Sequence, residues 1–262
     1  MDPLRRKDWT VLVYQGAVNN LEPDLQTNLQ ELAHGPHPDN VDVVVRQIDR
    51  QGTMRDYQVD ARGLSPLGPP VTDVDSAATA TLADFLGAGI ARYPARHYLV
   101  MVSSHGRGAE GLIEDERKGT LISPVEFRNA LEAGRESNHG RPIDMVFFDA
   151  CRMMSLEMAC EIRGSAEVAV GSMDRIGSVG YDPTVLIRET AQSADAEALS
   201  RRLVDNREDR QMDDFGSISA VALEATRDCR GDAARFQPGR IRPAGVAARP
   251  GAFQVTTPHS PP

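Results

Sequence analysis

The 262-residue chain has no surplus of basic residues: 29 Lys and Arg stand against 38 Asp and Glu, for a net charge of −9 and a pI near 5.2. A nucleic-acid partner needs cations to neutralise phosphates, so that class is set aside. An acidic surface instead suits a basic peptide substrate, although bulk charge is a weak guide to specificity. The chain also lacks any apolar run approaching the roughly 18 residues of a membrane helix. Its amino terminus, MDPLRRKDW, carries charge with no apolar segment behind it, so no secretory leader is read and a cytoplasmic location is expected. Cysteine is scarce. Cys151, Cys160 and Cys229 cannot all pair within one chain, and Cys151 and Cys160 fall on what reads as a single helix. A reducing compartment, or a thiol kept for chemistry, fits better than a disulfide-stapled scaffold.

What is present is globular in composition and long enough for one α/β domain with a substantial core. Two stretches share one grammar. In IDMVFFDACRMMSLEMA an apolar run, residues 145–148, is cut off by Asp149-Ala150-Cys151, and a helical pattern then follows through Met154, Leu156, Met158, Ala159 and Ile162. In HYLVMVSSHGRG the run 98–102 gives way to two serines, His105 and Gly106. Each reads as a buried strand whose carboxyl end carries a reactive side chain, which is where open α/β sheets bind ligands. The 46 residues between His105 and Cys151 suit neighbouring parallel strands joined by a crossover helix. A thiol near the amino end of a helix is also favoured as thiolate. Taken singly, each of the two has a bland reading: a buried cysteine behaves as a small hydrophobe, and a histidine after a strand is often only a loop residue. Together at matching strand ends they read as nucleophile and base.

The remaining elements follow in order. Residues 10–14 and 41–48 read as strands, with a helix between them carrying Leu21, Leu25, Leu29 and Leu32 and capped at Asn20. MRDYQVD and the Gly/Pro-rich text after it suggest a hairpin appended to the sheet. A helix with Leu82, Phe85, Leu86 and Ile90 inward precedes the His105 strand. Residues 106–120 read as a polar loop, and Ser123-Pro124-Val125-Glu126 as a helix start. Residues 166–172 and 216–223 read as fifth and sixth strands, with 183–206 largely helical. The alternation predicts a mainly parallel six-stranded sheet with helices on both faces. Residues 1–226 form the predicted domain, and 227–262, rich in Arg, Gly, Ala and Pro, read as a tail unable to order itself.

HG after one strand and DAC after the next, with WTVLVYQGAVNNLE before them and SLEMACEIRGSAEVAVGS after, resemble the clostripain family of cysteine peptidases, in the caspase-like clan with gingipains, legumains and separase. The resemblance runs from about Trp9 to Thr226. It implies a caspase-like three-layer sandwich and an endopeptidase cutting after Arg or Lys through a His105–Cys151 dyad. Gly106 and Cys151 N–H groups are implied as the oxyanion hole, and no third residue is needed to orient His105. Asp149 is implied for the pocket that takes the basic side chain, with Asp174 a second candidate; on a strand, residues two apart share a face, so the Asp149 carboxylate should point to the thiol's side. Asp149 has a plainer reading as a strand-end cap. Gly180-Tyr181-Asp182-Pro183 keeps only loosely a stretch usual near that pocket. Self-cleavage in the loop after the histidine is implied, at Arg117 or Lys118, though a solvated charge run explains those residues equally. No cofactor is required; calcium serves some members, but no specific site is legible here.

Three other readings are weighed. Residues 106–111 match the dinucleotide pattern GxGxxG but open into LIEDERKG rather than a helix, so no pyrophosphate site forms. His34 and His37 lie in a Gly/Pro loop, and no Cys/His spacing fits zinc. The alternative to an enzyme is a non-catalytic or truncated homologue serving as a binding or regulatory module.

Overall fold

The computed structural model describes residues 6–205, 217–226 and 254–256. In chain order its elements are β1 (Lys7–Gly16), α1 (Glu22–His34), β2 (Val41–Ile48), β3 (Met54–Asp60), β4 (Gly63–Pro66), α2 (Thr79–Arg92), β5 (Ala95–Ser103), β6 (Leu112–Asp115), β7 (Thr120–Ile122), α3 (Pro124–Ser137), β8 (Ile143–Asp149), α4 (Leu156–Ile162), β9 (Ala166–Gly171), α5 (Pro183–Ala191), α6 (Ala196–Asp205), β10 (Ser219–Ala222) and β11 (Gln254–Thr256).

Five strands, in the spatial order β2-β1-β5-β8-β9, are mutually parallel. Their apolar residues come in both parities because both faces are covered. On one face Leu12, Tyr14, Val100, Val102, Val146 and Phe148 meet Phe85 and Leu86 of α2, Phe127 and Leu131 of α3, and Met158 of α4. On the other, Val11, Val13, Leu99, Met101, Met145 and Phe147 meet Leu29 and Leu32 of α1, Val185 and Leu186 of α5, and Leu199 and Leu203 of α6. This is the expected three-layer sandwich. Each large side chain taken fully out of water contributes about 1.5–3 kcal/mol. Trp9 shows the accompanying polar condition: it is fully buried, and its indole N–H donates to Ser193 O at 2.9 Å.

The sheet is wider than six strands. The appended hairpin β3–β4 pairs antiparallel on β2, as expected. The sixth strand shrinks to β10 and runs antiparallel to β9, making eight strands, and β11 adds a ninth on β10. A short apolar run marks a strand but carries no direction, which depends on the edge where the preceding connection delivers the chain. Within the stretch read as an unordered tail, residues 254–256 pair with β10; the rest of the tail, Cys229 included, lies outside the described residues.

Two local corrections bear on the site. The stretch read as a polar loop holds a 3-10 turn, Gly108–Glu110, and the hairpin β6–β7, whose Leu112, Ile113 and Ile122 are fully buried between charged neighbours. The helix after Cys151 starts five residues later than the cysteine, with Ser155 as N-cap accepting from Met158 N. Arg152 N donates to Asp174 O and Met154 N to Ser172 O, so residues 152–154 are tied to the strand-end loop after β9 and cannot enter the helix; Leu156 consequently faces outward, 69% exposed. Cys160 sits half-buried on α4. By contrast, the Ser123–Glu126 capping box and its proline begin α3 as the sequence predicts. No helix among the described residues is long and apolar enough to cross a membrane.

Candidate active site

β5 and β8 are adjacent, with Ser103 level with Asp149. Their carboxyl ends therefore deliver His105 and Cys151 to one edge of the sheet, where both line the same two cavities. The base of His105 is held by a buried network. Ser104 Oγ donates to Gly16 O at 2.8 Å, and Asn19 Nδ2 lies 3.1 Å from Gly16 O, 3.2 Å from Ser104 Oγ and 3.0 Å from Glu114 O. One amide thus ties together the ends of β1, β5 and β6. Asn19 also accepts from Leu21 N, the start of α1.

The next residue, Asn20, is not the cap of α1, which starts at Glu22 without a side-chain cap. Its Oδ1 lies 2.6 Å from His105 Nε2. An amide oxygen only accepts, so Nε2 carries the proton and Nδ1 is the ring nitrogen left for proton transfer. Sequence reading assigned His105 no third partner. The signal was present as the paired asparagines at the end of β1, the strand beside β5, where capping and orienting a histidine look alike.

Cys151 is the free cysteine among the described residues and is half-buried. Its Sγ accepts from Ile176 N at 3.4 Å and sits 3.7 Å from Ile176 O. It lies five residues ahead of α4, so thiolate stabilisation by a helix directly following it does not apply as expected. Arg152 occupies the left-handed region at φ 61, turning the chain sharply after Cys151. Gly106 meets this turn: a Cβ there would sit 2.4 Å from Cys151 O and 2.8 Å from Met153 Sδ. Its glycine character therefore follows from close approach to the cysteine loop as much as from space for a ligand. The flanking bonds, Arg107 N to Gly111 O and Ile113 N to His105 O, leave the Gly106 N–H unused by the strand pairing.

Asp149 and Asp174, the two candidates for a basic pocket, part company. Asp149 is 4% exposed and lines the smaller cavity, of about 190 Å³, together with His105, Cys151, Leu25 and Ile176. Burial pushes its carboxyl from the ordinary 3.8 up to about 6, against the opposing pull of the Tyr181 N–H, at 2.8 Å, and of the Ser103 hydroxyl. No cationic side chain contributes to holding it ionised. Gly180 makes room for it, since a Cβ there would come within 2.5 Å of Oδ1 and the backbone is at φ 70. The divergent Gly180-Tyr181 stretch therefore supports the carboxylate through its backbone. Asp174 does not line this cavity; it is exposed, and its carboxylate accepts from Arg175 N at 2.7 Å, closing a local turn.

Arg117 and Lys118 lie away from both cavities, in the turn between β6 and β7. Both are paired with Asp73 Oδ1, at 2.7 and 2.8 Å. Among the described residues no group of three or more His, Cys, Asp or Glu side chains gathers to hold a metal ion. A larger hollow of about 850 Å³ lies at the opposite end of the strands, between the start of β9 and the end of β10; neither Cys151 nor His105 lines it.

A doubly wound sheet that sets a histidine and a cysteine on adjacent strand ends belongs to the caspase-like cysteine peptidase architecture. The clostripain family model, peptidase C11, matches residues 13–225, and the chain belongs to this family of cysteine peptidases. Among solved structures, a secreted C11 cysteine protease from Bacteroides thetaiotaomicron in complex with an irreversible peptide inhibitor is similar at TM-score 0.68 and 20% identity, over 84% of this chain and 67% of that one. An inactive zymogen C11 protease from Parabacteroides distasonis is similar at TM-score 0.69 and 20% identity, over 87% and 65%. The chain thus spans about two thirds of the length of these structures, and at such identity they show the fold. No match is found among curated protein sequences. The expectation of a cytoplasmic location gains no support from a neighbour described as secreted.

Proposed function

We propose that the protein is a cysteine endopeptidase that cuts after Arg or Lys, with Cys151 as nucleophile and His105 as acid and base. The observation that carries this reading is Asp149: a buried carboxylate with no cation against it, lining a cavity that also holds the thiol and the imidazole. A guanidinium or ammonium entering that cavity would supply the missing counter-charge and convert an unfavourable buried group into a charge-assisted pair.

The chemistry is acyl transfer. Cys151 passes its thiol proton to His105 Nδ1, and the thiolate attacks the carbonyl carbon, forming a C–S bond while the oxygen takes the negative charge, facing the Gly106 and Cys151 N–H groups. The tetrahedral species collapses, the C–N bond breaks, and His105 gives its proton to the leaving amine. Water, losing a proton to His105, then attacks the thioester; the C–S bond breaks and the carboxylic acid product leaves. The Asn20 contact keeps the imidazole oriented through both steps.

Self-processing after Arg117 or Lys118 belongs to this reading. Their turn is exposed, but both side chains are held by Asp73 and the turn is closed by Asp115, which accepts from Lys118 N at 2.8 Å, so it must open before it can lie extended across a cysteine. An Arg117→Ala, Lys118→Ala double variant that still splits into two fragments removes the idea. The non-catalytic alternative rests on one observation, the engagement of Cys151 Sγ by the Ile176 backbone. The experiment that separates the two is hydrolysis of fluorogenic peptides ending in Arg, Lys, Asp or Leu, with and without calcium, by wild type, Cys151→Ala and His105→Ala. Cleavage after Arg and Lys that is lost in both variants supports the peptidase; silence on every peptide from folded protein supports the module.

A further inference from the structure

The second cavity at the site, of about 600 Å³, shares His105, Cys151 and Arg175 with the first, and its remaining walls are Gly106 and four further charged residues, Arg107, Glu110, Glu114 and Arg152. The five are not balanced locally. Arg107 pairs with Glu114 at 2.5 Å and also feels Glu110, so both carboxylates are answered by one guanidinium. Arg152 and Arg175 have no ion-pair partner among the described residues. In a chain of net charge −9, two unpaired guanidiniums beside the catalytic pair are notable. Arg152 is held there at an energetic cost. It keeps a left-handed backbone that bulky residues disfavour, fixed by its N–H to Asp174 O at 2.9 Å.

We propose that Arg152 and Arg175 select an acidic residue just after the scissile bond, so that the preferred bond joins a basic residue to Asp or Glu. This deepens, and rests on, the reading of Asp149 as the pocket for the basic side chain. With that side chain in the smaller cavity, the carbonyl carbon lies at Cys151 Sγ and the leaving nitrogen must face His105. The chain beyond the nitrogen then passes over Gly106 into the second cavity, where a carboxylate meets the two arginines.

The test uses internally quenched peptides with Arg before the cut and Asp, Ala or Lys after it, and a parallel set that varies the residue preceding the Arg. For wild type at low salt, kcat/KM for Arg-Asp should exceed that for Arg-Lys by about tenfold, the scale of two partly exposed ion pairs, and the ratio should shrink in high salt. It should fall towards one in Arg175→Ala and in Arg152→Gly, a change that removes the guanidinium while suiting the backbone, and invert in the Arg152→Glu, Arg175→Glu double variant. Because each ratio compares substrates with the same Arg before the cut, an effect of Arg175 on the first cavity cancels. Equal rates for Asp, Ala and Lys, a preference that survives the substitutions, or an acidic preference confined to the position before Arg each overturn the proposal. Cleavage after residues other than Arg and Lys overturns the Asp149 reading instead, and the proposal with it.

Discussion

Replacing Asp149 by Asn separates what this residue does for stability from what it does for substrate. The folded protein holds the Asp149 proton up to about pH 6, whereas the unfolded chain releases it near 3.8. The group therefore favours the folded state while it is protonated; its contribution is complete below about pH 4 and is lost as pH rises through about 6. A gap of about two units at about 1.4 kcal/mol each makes the ionised carboxylate a burden of up to about 3 kcal/mol at neutral pH. Asn is neutral throughout, fits the space beside Gly180, and its Oδ1 can still accept from Tyr181 N. On a Cys151→Ala background, to prevent self-digestion, the Asp149→Asn variant should unfold at nearly the wild-type temperature near pH 4 and at up to about 6–12 °C higher near pH 7.5. Scanning calorimetry across that range reads the difference directly. With Cys151 intact, the same substitution should remove cleavage after Arg and Lys. Parallel melting of the two proteins from pH 4 to 7.5 would refute the claim that Asp149 is ionised at a cost, and with it the argument that the cavity is built to receive a cation.

Other expectations follow from the same geometry. Because Asp149 must be ionised to attract a cation, KM for Arg peptides should fall between about pH 5 and 7, which steady-state kinetics on matched Arg and Leu peptides will show. Asn20→Ala should lower kcat about tenfold or more with little change in KM or melting temperature, and Asn20→Asp, which keeps an acceptor at Nε2, should recover much of the loss; a matching loss of stability would make Asn20 merely structural. Gly106→Ala must displace the Cys151 carbonyl 2.4 Å away, and a folded protein with activity down at least a hundredfold is the expected result of assay and circular dichroism together. Ser123→Ala should cost about 1 kcal/mol through loss of the α3 capping box, visible as a lower denaturation midpoint in urea with unchanged specificity.

The parts of this design that were legible in the sequence are those enforced by burial over a long stretch. Strands β5 and β8 are covered on both faces, so their apolar runs stand out, and the polar residues that interrupt them mark where the chain leaves the sheet. That interruption drew attention to His105 and Cys151, whereas the role expected of Asp149 came from the resemblance to the clostripain family. The helix boundary after Cys151 was not, because Met154 and Leu156 fit a helical period as well as a tied loop, and the bonds that decide between the two come from residues 172 and 174 of another strand end. The direction of β10 was hidden for the same kind of reason.

Asp174 and Asn20 show the limit most sharply, since each was judged by what its neighbours in the chain suggested. Asp174 stands near the site in the sequence but spends its carboxylate on the next residue's N–H. Asn20, 85 residues from His105, comes to the imidazole because β1 and β5 are adjacent and parallel and Asn19 ties their ends together. A strand edge gathers residues by topology, so the group that orients a catalytic base is best sought at the ends of the strands neighbouring its own. By that argument the turns after β1 and β9 are as much part of the site as the strands bearing the thiol and the imidazole. Substitutions at Asn19, remote from any reacting atom, should therefore weaken catalysis through the position of His105.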